Sequence, residues 1–150
     1  MTPEAAGKAH VAALFVSPRK GQPMESRKEV LARADHGLDG CAHARPGGSR
    51  QVLLIDSEAL EEHSVPPGAL KENITVEGVA VSALASGTRV RIGATLLEIS
   101  KECTPCAFVD SVQPGLKERL QSRPGHRGML ARVLESGAIR VGDSVEVVTE

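Results

Sequence analysis

Tyrosine and tryptophan are absent from this chain, and only two phenylalanines occur in its 150 residues. The core must therefore be aliphatic, built from Val, Leu, Ile and Ala, a filling that suits small β-barrels and sandwiches. The same scarcity removes the aromatic platforms on which nucleic-acid bases stack. Charge of one sign is lacking too. Eighteen basic residues face 19 acidic ones, for a net charge of −1, so no global field draws the chain to nucleic acid. No apolar run approaches the ~20 residues that a membrane span requires. The opening "MTPEAAGKAHVAALFVS" (1–17) has too short an apolar stretch, and no charged leading region, for a secretory signal. Nor is there an even set of cysteines. Three cysteines do not suggest a disulfide framework, and in a chain expected to be cytoplasmic a Cys cluster points instead to metal or chemistry.

What is present fits one domain spanning 1–150, with 41% hydrophobic and 25% charged residues, as in ordinary soluble domains. "KAHVAALFVS" (8–17) and "RKEVLARA" (27–34) read as strands, joined by the polar "PRKGQPMES" (18–26). "DHGLDGCAHARPGGSR" (35–50) is too rich in glycine for a helix interior and reads as an ordered loop of functional length. "QVLLID" (51–56) is a buried strand whose Asp56 caps a short helix, "SEALEEH", stopped by "PPG" (66–68). From Asn73 onward the pattern is β. "VRIGATLLEI" forms a hairpin with Gly93-Ala94 as its turn, "GLKERLQS" (115–122) is a short helix with Leu116 and Leu120 one turn apart, and 129–148 closes the chain in strands. "SGTRVRIG" (86–93) and "SGAIRVGD" (136–143) echo each other weakly, as glycine-bounded strands of a barrel would. The expectation is an all-β domain, mainly strands with a few short helices, arranged as a closed or partly open antiparallel β-barrel.

The chemistry concentrates in "ISKECTPCAFVD" (99–110). Free cysteine packs well as a small hydrophobe, so a core role stays open for each thiol. Three chemical readings compete. Cys103 and Cys106 form a C-x-x-C pair, to which Cys41 and His43 could add a thiolate and an imidazole, completing a four-ligand zinc set. "CTPC" also matches a dithiol redox motif, although no βαβ run surrounds it. The third reading is a single nucleophilic or ligating thiolate at Cys106. Lys101, Arg50 and Arg127 would be its nearby cations, and the glycine-rich loop would supply amides for an anionic ligand.

The stretches "GLDGCAHARPGGSRQVLLID" (37–56), "LKENITVEGV" (70–79), "LASGTRVRIGATLLEISKECTPC" (84–106) and "GMLARVLESGAIRVGDSVEVV" (128–148) together resemble the MOSC domain. This is the C-terminal domain of eukaryotic molybdenum-cofactor sulfurases, also found as small stand-alone bacterial proteins. The resemblance implies a barrel of mostly antiparallel strands. It places the family's hallmark cysteine, proposed to carry a persulfide sulfur or to ligate molybdenum, at Cys106. It also implies binding of the molybdenum cofactor (molybdopterin), held stably or in passing. The partners would be a cysteine desulfurase-type sulfur donor and/or a molybdoenzyme. The chain would act as a sulfur carrier, in the manner of a sulfur transferase, rather than as a complete enzyme. Pyridoxal phosphate, mentioned for the family, is not expected in this chain alone, which has no desulfurase domain. No counterpart of the additional N-terminal β domain of relatives that reduce N-hydroxylated substrates is expected within these 150 residues.

On this reading Arg50 and Arg127 contact a pterin phosphate, with ordinary surface arginines as the alternative, Lys101 stabilises the thiolate or contacts the phosphate, Asn73 lends an amide to a polar ligand, and His43 donates to a residue that holds the ligand or anchors the loop. For Asn73 the alternative is a turn-forming residue that starts a strand. Cys41 stands where the family often has Asp, and Cys103 is an extra thiol beside the hallmark position. Either could assist Cys106 through a disulfide or shared metal binding. Gly142-Asp143 reads as a turn that sets strand register, and Asp39 and Gly40 as shapers of the long loop. A zinc-stabilised, non-catalytic binding module built on Cys41, His43, Cys103 and Cys106 remains the alternative function, and nucleic acid and membrane are not expected as partners.

Overall fold

A computed structural model describes residues 9–19, 23–41 and 51–148. Eleven strands are found there: β1 (His10–Val16), β2 (Glu25–Arg27), β3 (Glu29–Arg33), β4 (Gly37–Leu38), β5 (Val52–Asp56), β6 (Ile74–Glu77), β7 (Arg89–Ile92), β8 (Thr95–Glu102), β9 (Met129–Glu135), β10 (Gly137–Arg140) and β11 (Val145–Val148). Three short helices interrupt them: α1 (Ser57–Glu62), α2 (Phe108–Val112) and α3 (Leu116–Gln121), with a single 3₁₀ turn at Val81–Ala83. No helix among these residues is long and apolar enough to cross a membrane.

The strands form two sheets. One has eight strands in the order β11-β7-β8-β9-β5-β6-β1-β2, and the other three in the order β10-β3-β4. β5 lies inside the larger sheet, between β9 and β6, and all five of its residues are buried. That explains its unbroken apolar run, since a strand covered on both faces needs no polar alternation. β3 does alternate, with Val30 and Ala32 buried between exposed neighbours. The β7–β8 hairpin turns at Gly93-Ala94, with Ile92 opposite Thr95. Gly93 has φ +56, and a side chain there would run into Asp143 and the Ala138 carbonyl. Both backbone and space demand glycine, in the Gly-X order of a II′ turn.

Most strand pairs are antiparallel, as expected, and two points refine the expectation. The first concerns direction: β5 and β6 pair in parallel. The chain between them runs through α1, and such a crossover returns the second strand to the same direction. The second concerns closure, for the sheets are not closed into a barrel. The outer edge of β1 is divided. Residues Leu14–Val16 pair with β2, while His10 makes an isolated bridge to Ser144, flanked by hydrogen bonds from Val11 N to Asp143 O (2.9 Å) and from Gly142 N to Val11 O (2.8 Å). Val145 N adds a third bond, to Ala9 O (3.1 Å), so the two ends of the sheet meet over a short seam rather than a continuous ladder.

The main core is aliphatic, as the composition requires, with Leu14, Leu54, Ile74, Ile92, Leu97 and Ile139 among its fully buried side chains. A second core lies under the helices: Ile55, Ala59, Leu60, Leu70, Val109, Leu116 and Leu120. It includes the Leu pair whose one-turn spacing marked α3. Asp56 caps α1 as expected, with one carboxylate oxygen accepting from Ala59 N (3.2 Å) and the other from Ser82 N (3.1 Å). One side chain thus ties β5, α1 and the 3₁₀ turn together. Gly142 (φ +94) and Asp143 form the turn between β10 and β11, where Asp143 accepts from Arg140 N (2.8 Å).

Candidate functional site

The three thiols occupy three different environments. β8 ends at Glu102, and the chain then runs without regular structure through Cys103–Cys106 before α2 begins at Phe108. Cys103 faces inward and packs with Leu53 and Leu130, while its N–H donates to the Gly128 carbonyl at 2.8 Å. Three residues on, Cys106 is exposed. Its carbonyl accepts from Val109 N (3.1 Å) and so fixes the entry into α2. Pro105, which lacks an N–H and restricts Thr104 to extended geometry, keeps helix from starting earlier and leaves Cys106 on the outside of the bend.

Cys41 belongs to the main core, where the Asn73 amide approaches its sulfur at 3.4 Å. The zinc set expected from Cys41, His43, Cys103 and Cys106 is therefore corrected in its cysteine part. Its thiols are divided between the main core, a small cluster and the surface. His43 lies outside the described residues. None of the three cysteines forms a disulfide.

The other candidate residues are scattered over the fold. Lys101 is exposed on β8, opposite Leu130 of β9. Asn73 is 2% exposed and fully engaged. Its Oδ1 accepts from Leu53 N (3.0 Å), its Nδ2 donates to Phe15 O (3.1 Å), and its own N–H and carbonyl bond Leu53 and Phe15. It links β1, β5 and the start of β6, and faces Cys41 with the same amide. Arg127 is also buried, which removes the alternative of an ordinary surface arginine. Its Nη1 donates to Leu70 O (2.9 Å), while its Nε has no partner among the described residues. Arg50 lies outside the described residues. Asp39 shapes the β3–β4 corner, where its carboxylate receives Arg33 in a two-point contact (2.6 and 2.9 Å). That hydrogen-bonded guanidinium holds Asp39 below the usual carboxylate range and raises Arg33 in turn.

Residues that the sequence did not single out form a concavity beside α2. A cavity of about 430 Å³ is lined by Phe15, Met24, Gly68, Lys71 and Phe108, with Pro23, Pro67 and Ala69. Both phenylalanines of the chain meet there, and their rarity was the available signal. The Lys71 ammonium stands 4.9 Å from the centre of the Phe108 ring, a cation–π distance. Gly68 (φ +86) lies flat on Phe15, where a Cβ would stand 2.8 Å from the ring. Glu72, fully buried, clamps this turn from behind by accepting from Gly68 N (2.8 Å) and Thr75 Oγ1 (3.0 Å), while its second oxygen is unpaired among the described residues.

The family model of the MOSC domain matches residues 45–146. The chain belongs to the MOSC family. Cys103 and Cys106 fall inside the matched span, and Cys41 and His43 just before it. Similar solved structures support the same fold. The YuaD protein of Bacillus subtilis superposes with a TM-score of 0.73 at 22% identity, covering 93% of this chain and 95% of that one. YiiM of Geobacillus stearothermophilus gives 0.72 at 19%, covering 94% and 75%. YiiM of Escherichia coli gives 0.67 at 19%, covering 93% and 70%. No curated protein is significantly similar in sequence. This MOSC chain is thus a mainly β domain of a family tied to the molybdenum cofactor, with Cys106 on its surface.

The residues present fit such a group in two respects. A soft thiolate is what molybdenum or a sulfane sulfur requires, and Cys106 is the thiol that solvent reaches. The cavity next to α2 offers aromatic faces and a cation for a flat, anionic heterocycle. Asn73 does not fit as a ligand donor, because its amide is already committed within the protein.

Proposed function

We propose that this MOSC protein is a cytoplasmic carrier in the handling of the molybdenum cofactor, with Cys106 as its working atom. The observation that carries the reading is the exposure of Cys106 where both other described thiols are buried. The bound cofactor would supply a molybdenum centre able to accept sulfur or a thiolate ligand. The protein's own residues do the rest. Cys106 attacks the outer sulfur of a persulfide on a cysteine desulfurase-type donor. A new S–S bond forms at Cys106, the donor's S–S bond breaks, and the donor leaves as a thiolate, so electrons and atoms balance. The sulfur is then passed on toward a molybdoenzyme, or Cys106 itself holds the metal.

Lys101 and Arg127 are cationic candidates for the pterin phosphate, beside Lys71 of the cavity, and the sequence adds Arg50 and His43 as further candidates. Arg127 would present its unpaired Nε. Asn73 serves by fixing Cys41 and three strands in place. A barrel-like enclosure of the site is part of this proposal, with the His10–Ser144 bridge as its seam.

The test is cofactor retention. Protein expressed in a cofactor-producing host and purified without added metal should carry molybdenum and an oxidisable fluorescent pterin. Cys106→Ser should lose both, while Cys103→Ser keeps them. Equal retention by Cys106→Ser removes the reading.

A further inference from the structure

At the far end of α1 a second constellation stands apart from Cys106. Glu62 closes α1, His63 is its C-terminal cap, and His126 lies in the turn between α3 and β9. His63 and His126 are 8% and 9% exposed. Their rings meet edge to face, with Nε2 of His63 and Nδ1 of His126 3.1 Å apart. A carboxylate oxygen of Glu62 completes a group whose ligand atoms all lie within 4.8 Å of one another, the one such group of three among the described residues.

We propose that Glu62, His63 and His126 form a binding site for one divalent transition-metal ion of the zinc type. Two imidazole nitrogens bound tetrahedrally at about 2.0–2.1 Å stand about 3.3–3.4 Å apart, so the observed pair needs to open by only a few tenths of an ångström. Two nitrogens and one carboxylate oxygen suit zinc, with a fourth position left to water on the side where Glu62 is exposed. The backbone of His63 is braced by Gln113 Nε2, which donates to its carbonyl at 3.1 Å.

Arg123 now engages the carboxylate that the ion would take. Its Nη1 pairs closely with Glu62, and its Nη2 stands 3.4 Å from Nε2 of His126. A guanidinium only donates, so it favours His126 with its proton on Nδ1, the nitrogen the metal needs. Loading the ion moves that proton to Nε2 and turns the Nη2 contact into two donors facing each other. Arg123 must therefore swing out, and the guanidinium and the metal compete for one carboxylate. In the loaded state the ion staples the end of α1 to the turn before β9, replacing the Glu62–Arg123 pair.

The competition gives the test opposite signs at neighbouring residues. Full-length protein, in a Cys106→Ser background and stripped of metal, is titrated with cobalt(II), followed by zinc competition against a chromophoric chelator. One equivalent should bind, with visible ligand-field bands and no thiolate-to-cobalt charge-transfer band. His126→Gln should weaken binding by more than about tenfold, since loss of even a supporting outer partner costs 10–100-fold. Glu62→Gln, at an exposed position that leaves folding intact, should weaken it as well. Arg123→Gln should tighten it. No binding by the parent protein, a thiolate band, a weaker Arg123→Gln, or parental affinity in Glu62→Gln would each overturn the assignment. Circular dichroism of every variant confirms the native fold.

Discussion

Replacing Asn73 by Ala separates the two roles that its position in the sequence allows. The structure makes it a cross-brace. Truncation leaves the buried Leu53 N–H without the acceptor that now stands at 3.0 Å, at a cost of about 1–3 kcal/mol. The contact to Phe15 O at 3.1 Å is lost too, for about 1 kcal/mol more. The approach to the Cys41 sulfur adds little. A total of about 3 kcal/mol is a large part of the ~5–15 kcal/mol that stabilises an ordinary domain, and lowers Tm by roughly 6–12 °C for a chain of this size. Urea unfolding followed by far-ultraviolet circular dichroism is the assay, because the chain has neither Trp nor Tyr to report by fluorescence. Asn73→Asp should do no better than Ala: it keeps an acceptor for Leu53 but turns a carboxylate toward the Phe15 carbonyl. A loss below about 0.5 kcal/mol, the level of a surface substitution, would refute the cross-brace and return Asn73 to the ligand reading.

Asp56→Ala removes both a helix cap and the tie to Ser82, and should cost about 1–2 kcal/mol in the same unfolding assay. Thiol labelling of native protein should modify Cys106 quickly and Cys41 and Cys103 only on unfolding, read by peptide mass mapping, because the last two are 7% exposed. The Asp39 carboxyl, followed by NMR, should titrate below its ordinary value of about 3.9 and return toward it in Arg33→Gln. Because its folded-state value is depressed, whatever the pair contributes is present above the ordinary carboxylate range and fades as pH falls through the lowered value.

Local chemistry was legible in the sequence wherever one residue decides the backbone. Gly93-Ala94 made a hairpin, Asp56 capped a helix, the Leu116–Leu120 spacing marked the buried face of α3, and the apolar run at 52–56 became a central strand. What depends on distant partners was not legible. Nothing near Val52 or Ile74 says that β5 and β6 run in parallel, because that follows from where α1 lays the chain down. The five residues of α2 are too few to show a helical period. Arg127 reads as a surface cation, yet the Leu70 carbonyl holds it inside. The C-x-x-C spacing suggested a shared metal, and the packing of Cys103 against Leu53 and Leu130 turns that thiol away. His63 and His126 come together across a separation of 63 residues, with no spacing to announce them. The exposed Cys106, by contrast, stood out from its proline onward.

Intact-protein mass spectrometry after incubation with a persulfide-bearing donor tests the central claim most directly. The reading predicts a gain of one sulfur atom per chain, mapped to Cys106, removed by a mild reductant and absent from Cys106→Ser. A sulfur adduct of equal yield in Cys106→Ser, or none in the parent protein while Cys106 still reacts with a small thiol reagent, would contradict it.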